Sequence, residues 1–194
     1  MKRRFTGPLF LLLSGFPSWA QTPAASAPTF SIAREESSVT FFVKASVALK
    51  GDFKKWEGSL TCASTDPGTC VLDIKVQADS VNSGSGMKDG KLKSKDFFDV
   101  KTNPMITFKS NKIVQSGPDS FDVSGVFTIR GVSKPELLTL TAAREGTVGR
   151  IKGQMAFDRK EYGMTSGIPF IKIADRVEVN IDFKMSRERT GPRV

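Results

Sequence analysis

Apolar and polar residues alternate along most of this chain, and period-two alternation marks strands with one buried face. It is clearest over residues 70–78, where Leu72, Ile74, Val76 and Ala78 share one face and Asp73, Lys75 and Gln77 the other. Residues 38–45 repeat it with Val39, Phe41, Val43 and Ala45. Further strands are predicted at 30–32, through 47–49 and 52–62, and at 105–110, 121–130, 136–142, 151–157 and 176–185. Turn chemistry separates them: Ser116-Gly117-Pro118-Asp119, then Gly131 with Pro135, then Gly146 and Gly149. Residues 158–171 form a longer loop. Gly51 and Gly58 fall inside strand patterns, where glycine marks a bend or bulge. The sum is an all-β chain of about eight antiparallel strands, a number that can close into a barrel holding one small ligand.

One stretch breaks the rhythm. Residues 86–100 carry Lys88, Asp89, Lys91, Lys93 and Lys95, then the aromatic pair Phe97-Phe98. This reads as a short polar helix with an apolar anchor, in the manner of a lid. Lys88, Lys91 and Lys95 share a helical face. That face is either simply solvated or a surface for an anionic membrane or head group.

Residues 1–20 read as a secretory signal peptide: Lys2-Arg3-Arg4, a short apolar run through Leu9–Leu13, and Ser18-Trp19-Ala20 before the cut. Residues 21–29 read as a flexible leader, 30–186 as the barrel domain and 187–194 as a basic tail. The leader peptide takes three of the 29 basic residues and no acidic one, leaving 26 against 20 and a net of +6. A periplasmic or secreted location follows, and with it an oxidising environment for the two cysteines. Cys62 and Cys70 flank the turn residues Asp66-Pro67-Gly68, so a disulfide across the mouth of a β-hairpin is the expectation.

The chain has no histidine. Ser-His-Asp and Cys-His nucleophile systems and His-ligated zinc are therefore out. No metal ligands and no phosphate loop stand out, so neither catalytic nor metal residues are assigned. Nucleic acid is not an expected partner, because the basic residues are interspersed with acids. Fifteen Phe against one Tyr point instead to apolar walls. The candidate wall residues on the strands are Phe41, Val43, Trp56, Leu72, Ile74, Val76, Phe108, Phe127, Ile129 and Phe157. The cap and loop add Leu92, Phe97, Phe98 and Tyr162. For any one of these the plain alternative is a solid core.

Six segments, in order, resemble the YceI-like family of exported, lipocalin-like proteins. They are Gly51-Asp52-Phe53-Lys54-Lys55-Trp56-Glu57-Gly58, then Lys88-Asp89 with Leu92 and Asp96-Phe97-Phe98-Asp99-Val100, and then residues 104–110. Gly125-Val126-Phe127-Thr128-Ile129-Arg130-Gly131-Val132-Ser133-Lys134-Pro135 is the most specific; Asp158-Arg159 with Tyr162-Gly163-Met164, and Asp175-Arg176-Val177, complete the set. The resemblance implies an extended eight-stranded antiparallel barrel with a short capping helix. It also implies an apolar channel for a polyisoprenoid chain of quinone or polyprenyl type, with roles in carriage, storage or stress protection. It implies no cofactor beyond the bound lipid, and leaves a homodimer open. Family members often carry histidines where this chain has Arg34-Glu35-Glu36-Ser37, Lys44-Ala45 and Gly90-Lys91; no histidine role is carried over. Lys88, Asp89, Arg159 and Asp175 are the head-group candidates, with salt bridges that fix loops as the plainer reading of Asp89, Arg159 and Asp175. Two other readings stay open: an enzyme on an isoprenoid lipid, using Asp89 or Asp175 as acid or base, and a stress-response interaction protein whose channel is only a core.

Overall fold

The structure is a computed structural model describing residues 29–46, 49–145, 148–167 and 172–187. The predicted signal peptide, all but the last residue of the leader, and all but the first residue of the basic tail lie outside the described residues. Eleven strands form one antiparallel sheet: β1 (Thr29–Ile32), β2 (Ser38–Ala45), β3 (Leu49–Phe53), β4 (Trp56–Cys62), β5 (Cys70–Gln77), β6 (Val81–Asn82), β7 (Met105–Gln115), β8 (Ser120–Ile129), β9 (Val132–Glu145), β10 (Val148–Asp158) and β11 (Ile173–Arg187). The helix α1 (Gly86–Lys93) lies between β6 and β7.

Eleven strands reduce to eight staves, because three staves are broken. β1 and β2 lie end to end along β11, with Ile32 opposite Met185 and Ser38 opposite Asp182. A 3-10 turn at Arg34–Glu36 separates them. β3 and β4 run along β2 and β1 in the same way, and β6 and β5 along β3 and β4. From β5 the ladder continues through β7, β8, β9 and β10 to β11. Since β1 pairs with both β4 and β11, the sheet closes on itself. The eight-stranded barrel is therefore present, with more interruptions than the alternation predicts.

The breaks have a local cause. Phe53 and Trp56 are both buried although they stand three apart, so strict alternation cannot serve both. The break at Lys54-Lys55 resets the pleat, and a bend there lets one long stave bury both side chains. Glycines make room where inward rings cross a neighbouring stave. A Cβ on Gly51 would lie 2.8 Å from the Phe41 ring, and one on Gly125 would lie 2.7 Å from Phe108. Arg130 and Gly131, with φ of 53° and 73°, form the two-residue turn joining β8 to β9.

Pro135, read from sequence as a separator, lies inside β9 opposite Val126. The β9–β10 ladder stops at Thr139 opposite Gln154. Among the described residues, 132–138 thus have no strand on that side, and a residue without an N–H is tolerated at such an edge. The 3-10 turn Arg159–Tyr162 covers this seam: the Tyr162 hydroxyl donates to Glu136 at 2.8 Å, and Lys134 pairs with Glu161 at 3.0 Å.

Candidate functional site

The barrel interior is solid at one end and hollow at the other. Trp56 stacks on Phe183 with ring centroids 4.8 Å apart. Leu72, Val123, Leu140 and Met185 are buried with them and complete a packed plug. The Cys62–Cys70 disulfide staples β4 to β5 at this end, where the two residues are directly opposite in register. Its presence places the folded chain in an oxidising environment.

Toward the α1 end, the packing gives way to about 900 Å³ of space free of atoms, part of it open to solvent. Eleven of the predicted wall residues border this chamber: Phe41, Val43, Ile74, Val76, Leu92, Phe97, Phe98, Phe108, Phe127, Ile129 and Phe157. Trp56 and Leu72 do not; they point inward as read, but into the plug. Tyr162 is fully buried yet stands behind the wall, edge-on to Phe127 and Phe157 at 5.5 and 5.1 Å. Its burial, and secondarily the hydrogen bond to Glu136, push the phenol well above its ordinary 10.0.

Other lining residues escaped the sequence reading. Val177, Val179 and Ile181 on β11 alternate with Glu178, Asn180 and Asp182, so a period-two signal was there to be read. Met164 sits beyond the Arg159–Tyr162 turn, and no periodicity marks it.

The cap is built differently from the expected helix with an aromatic end. α1 stops at Lys93, and Phe97 and Phe98 lie in the turns that follow. The Phe98 amide donates back to the Leu92 carbonyl at 2.9 Å, which folds both rings under the helix into the chamber. Phe98 then meets Phe53 at 6.0 Å. Lys91, expected on the wet side, turns inward to pair with Asp96 at 2.6 Å and lies 5.9 Å over the Phe97 ring. The hydrogen bond from Lys91 holds the Asp96 carboxyl below its ordinary 3.8.

Of the four head-group candidates only Arg159 borders the chamber. It donates to the carbonyls of Ala174 (3.2 Å), Met164 and Ser166 (2.9 Å), and to the Asp175 carboxylate (3.1 Å). Four of its five N–H groups are thus occupied, two by the loop at 164–166 and two by the start of β11. Asp175 also pairs with Lys160 at 2.8 Å, and that hydrogen bond is the main reason its carboxyl is held below 3.8. Asp89 accepts from the Ser83 amide (2.8 Å) and hydroxyl (2.6 Å), tying the chain entering α1 to the helix. Lys88 is partly exposed and away from the chamber. Apart from Arg159 and Thr107, the lining is apolar. The arrangement can hold hydrocarbon, and its carboxylates are engaged with other protein groups rather than aimed at a bound molecule.

The YceI-like domain family matches residues 30–185. A UPF0312 protein of Azotobacter vinelandii is 30% identical over 98 residues, covering 50% of this chain and 51% of its own. One of Pseudomonas aeruginosa is 34% identical over 87 residues, 45% of each chain. The alignments thus span about half the length of these curated relatives. Among solved structures, BcnA of Burkholderia cenocepacia superposes with a TM-score of 0.73 at 23% identity, over 79% of this chain and 99% of its own. A polyisoprenoid binding domain from Saccharophagus degradans, implicated in plant cell wall breakdown, gives 0.63 at 17% identity, over 82% and 98%. At these identities the superpositions establish the shared barrel.

Proposed function

Because the chain belongs to the YceI-like family, we propose that it is an exported lipid-binding protein that holds a polyisoprenoid chain, of quinone or polyprenyl type, in the hollow end of its barrel. The observation that carries this reading is a chamber whose lining is apolar almost throughout, with its one charge, Arg159, already bonded to protein. A ligand there gains affinity by burial, about 0.8 kcal/mol for each CH₂ taken from water, or about 4 kcal/mol for a five-carbon unit before ordering costs. The polyisoprenoid binding domain with the same barrel supports the choice of lipid. Binding of this kind needs neither cofactor nor catalytic group and suits carriage, storage or protection under stress. The disulfide fits a periplasmic or secreted site of action, reached through cleavage of the leader peptide. A carrier in that compartment also meets bilayers, where its ligand is taken up or delivered.

Native mass spectrometry of protein purified from its own host tests the proposal. A bound mass matching an isoprenoid is expected. Ile74→Trp places an indole in the chamber and is expected to lower lipid content while leaving the thermal midpoint nearly unchanged. A wild-type barrel that is empty and takes up no added polyprenol would refute the reading.

A further inference from the structure

The charge of this molecule is concentrated at one end. The described segments closing the α1 end of the barrel are 44–46, 49–50, 78–104, 130–135, 158–167 and 172–176. They hold 13 basic and seven acidic residues, a net of +6. All other described residues together hold 11 basic and 12 acidic ones, a net of −1. Several of the basic groups at this end are internally engaged: Lys91 with Asp96, Lys134 with Glu161, Lys160 and Arg159 with Asp175. Lys44, Lys50, Lys95, Lys101 and Lys172 remain exposed, with Lys88 and Lys93 partly so. An unpaired lysine on a flexible stem is what an anionic surface attracts.

An apolar side chain stands among these lysines. Met87, in the first turn of α1, is 88% exposed, far more than any other large hydrophobic among the described residues. Leu92, on the same helix, borders the chamber, as do Phe97 and Phe98 just beyond it. One short segment therefore carries an exposed apolar tip, the cations Lys88, Lys93 and Lys95, and the inner cover of the hollow end.

We infer that the α1 end docks on an anionic lipid bilayer, with Met87 entering the interface and the surrounding lysines against the head groups. Docking rests on the carrier reading above, since it assigns the surface through which that chamber meets its lipid. The occupant is a bilayer rather than an acidic protein for two reasons. A long apolar tail leaving the chamber has to pass directly into an apolar phase, and the chamber is capped at this same end. A single exposed Met on a lysine-bearing segment also lacks the packed aromatic anchors of a protein interface, while apolar insertion together with basic attraction is how amphipathic segments hold to membranes.

Co-sedimentation with vesicles tests this, using phosphatidylcholine alone or mixed with phosphatidylglycerol, with the lipid content of each protein sample read by native mass spectrometry. Wild type is expected on the anionic vesicles only, and is expected to release at raised salt. Each lysine close to such a surface contributes about fivefold to partitioning. Lys93→Gln with Lys95→Gln is therefore expected to weaken binding about 25-fold. Lys109→Gln with Lys112→Gln, equal in charge but on the barrel wall, is expected to leave it nearly unchanged. Met87→Ser should weaken binding further without altering the salt response. Lipid-loaded wild type that ignores anionic vesicles overturns docking, as does equal loss from the two lysine pairs. Vesicle binding by a protein that carries no lipid supports docking and counts against the carrier reading alone.

Discussion

Leu72 and Ile74 are neighbours on the same face of β5, both buried and both aimed into the barrel. One meets the plug and the other the chamber, so truncating each to Ala separates a solid interior from a hollow one. Removal of about three methylene equivalents at about 0.8 kcal/mol each sets a transfer cost near 2.4 kcal/mol for either. At Leu72 a cavity cost adds to it, because the plug cannot collapse into the gap; Leu→Ala in packed cores costs roughly 2.7–5.0 kcal/mol. At Ile74 the vacated volume merges with space that is already empty. The cavity cost is then absent, and part of the side chain made no contact to lose. The expected destabilisations of delipidated protein are about 3–4 kcal/mol for Leu72→Ala and about 1–2 kcal/mol for Ile74→Ala. Urea unfolding followed by Trp fluorescence reads both. Adding lipid should reverse the ranking in binding: Ile74→Ala loses ligand and Leu72→Ala keeps it. Equal losses of stability in the two variants, or a larger loss at Ile74, would mean that the α1 end is packed like the rest and that no chamber exists.

Four further outcomes follow from particular places in the fold. Gly51→Ala sets a methyl group 2.7 Å from the Asn82 carbonyl oxygen and 2.8 Å from the Phe41 ring, so a loss of about 1–3 kcal/mol in chemical denaturation is expected. Gly90→Ala in α1 meets nothing within 4 Å and should gain about 0.5–1 kcal/mol by the same measurement. Tyr162 has its folded pKa raised above 10.0, so its contribution is complete below pH 10.0 and is lost as pH rises through the folded value. Wild type should therefore lose stability in an alkaline titration beyond pH 10.0, while Tyr162→Phe, less stable at neutral pH, should fall less steeply there; parallel curves would count against the buried phenol. Replacing Cys62 and Cys70 together by Ala should cost about 2–3 kcal/mol by loss of a short closed loop. Lipid content should not change, because the staple is at the plug end; mass spectrometry and a melting curve check both halves.

Strand class, cap position and the inward face of most staves were legible in the sequence, because each is a local property. Alternation over 70–78 is enough to place Leu72, Ile74 and Val76 on the inside, and the polar interval at 86–96 is enough to interrupt the strands. Pairing Cys62 with Cys70 needed only the turn between them. Local pattern could not say that Leu72 packs solidly while Ile74 faces open space, since both obey the same alternation. That difference depends on which side chains arrive from distant staves: Phe183 from β11 fills the volume beside Trp56, whereas the described residues leave space beneath Phe98. The charged partners were only partly legible: salt bridges fixing loops were the plainer reading of Arg159 and Asp175, whereas Lys91, read on the wet side, pairs with Asp96 five residues on, where the chain turns after α1. Sequence by itself determined which way most strand side chains face, because the period of a strand is set by its own backbone. Tertiary structure decided what each side chain meets there, because closure of the barrel sets volumes and partners among residues more than a hundred positions apart.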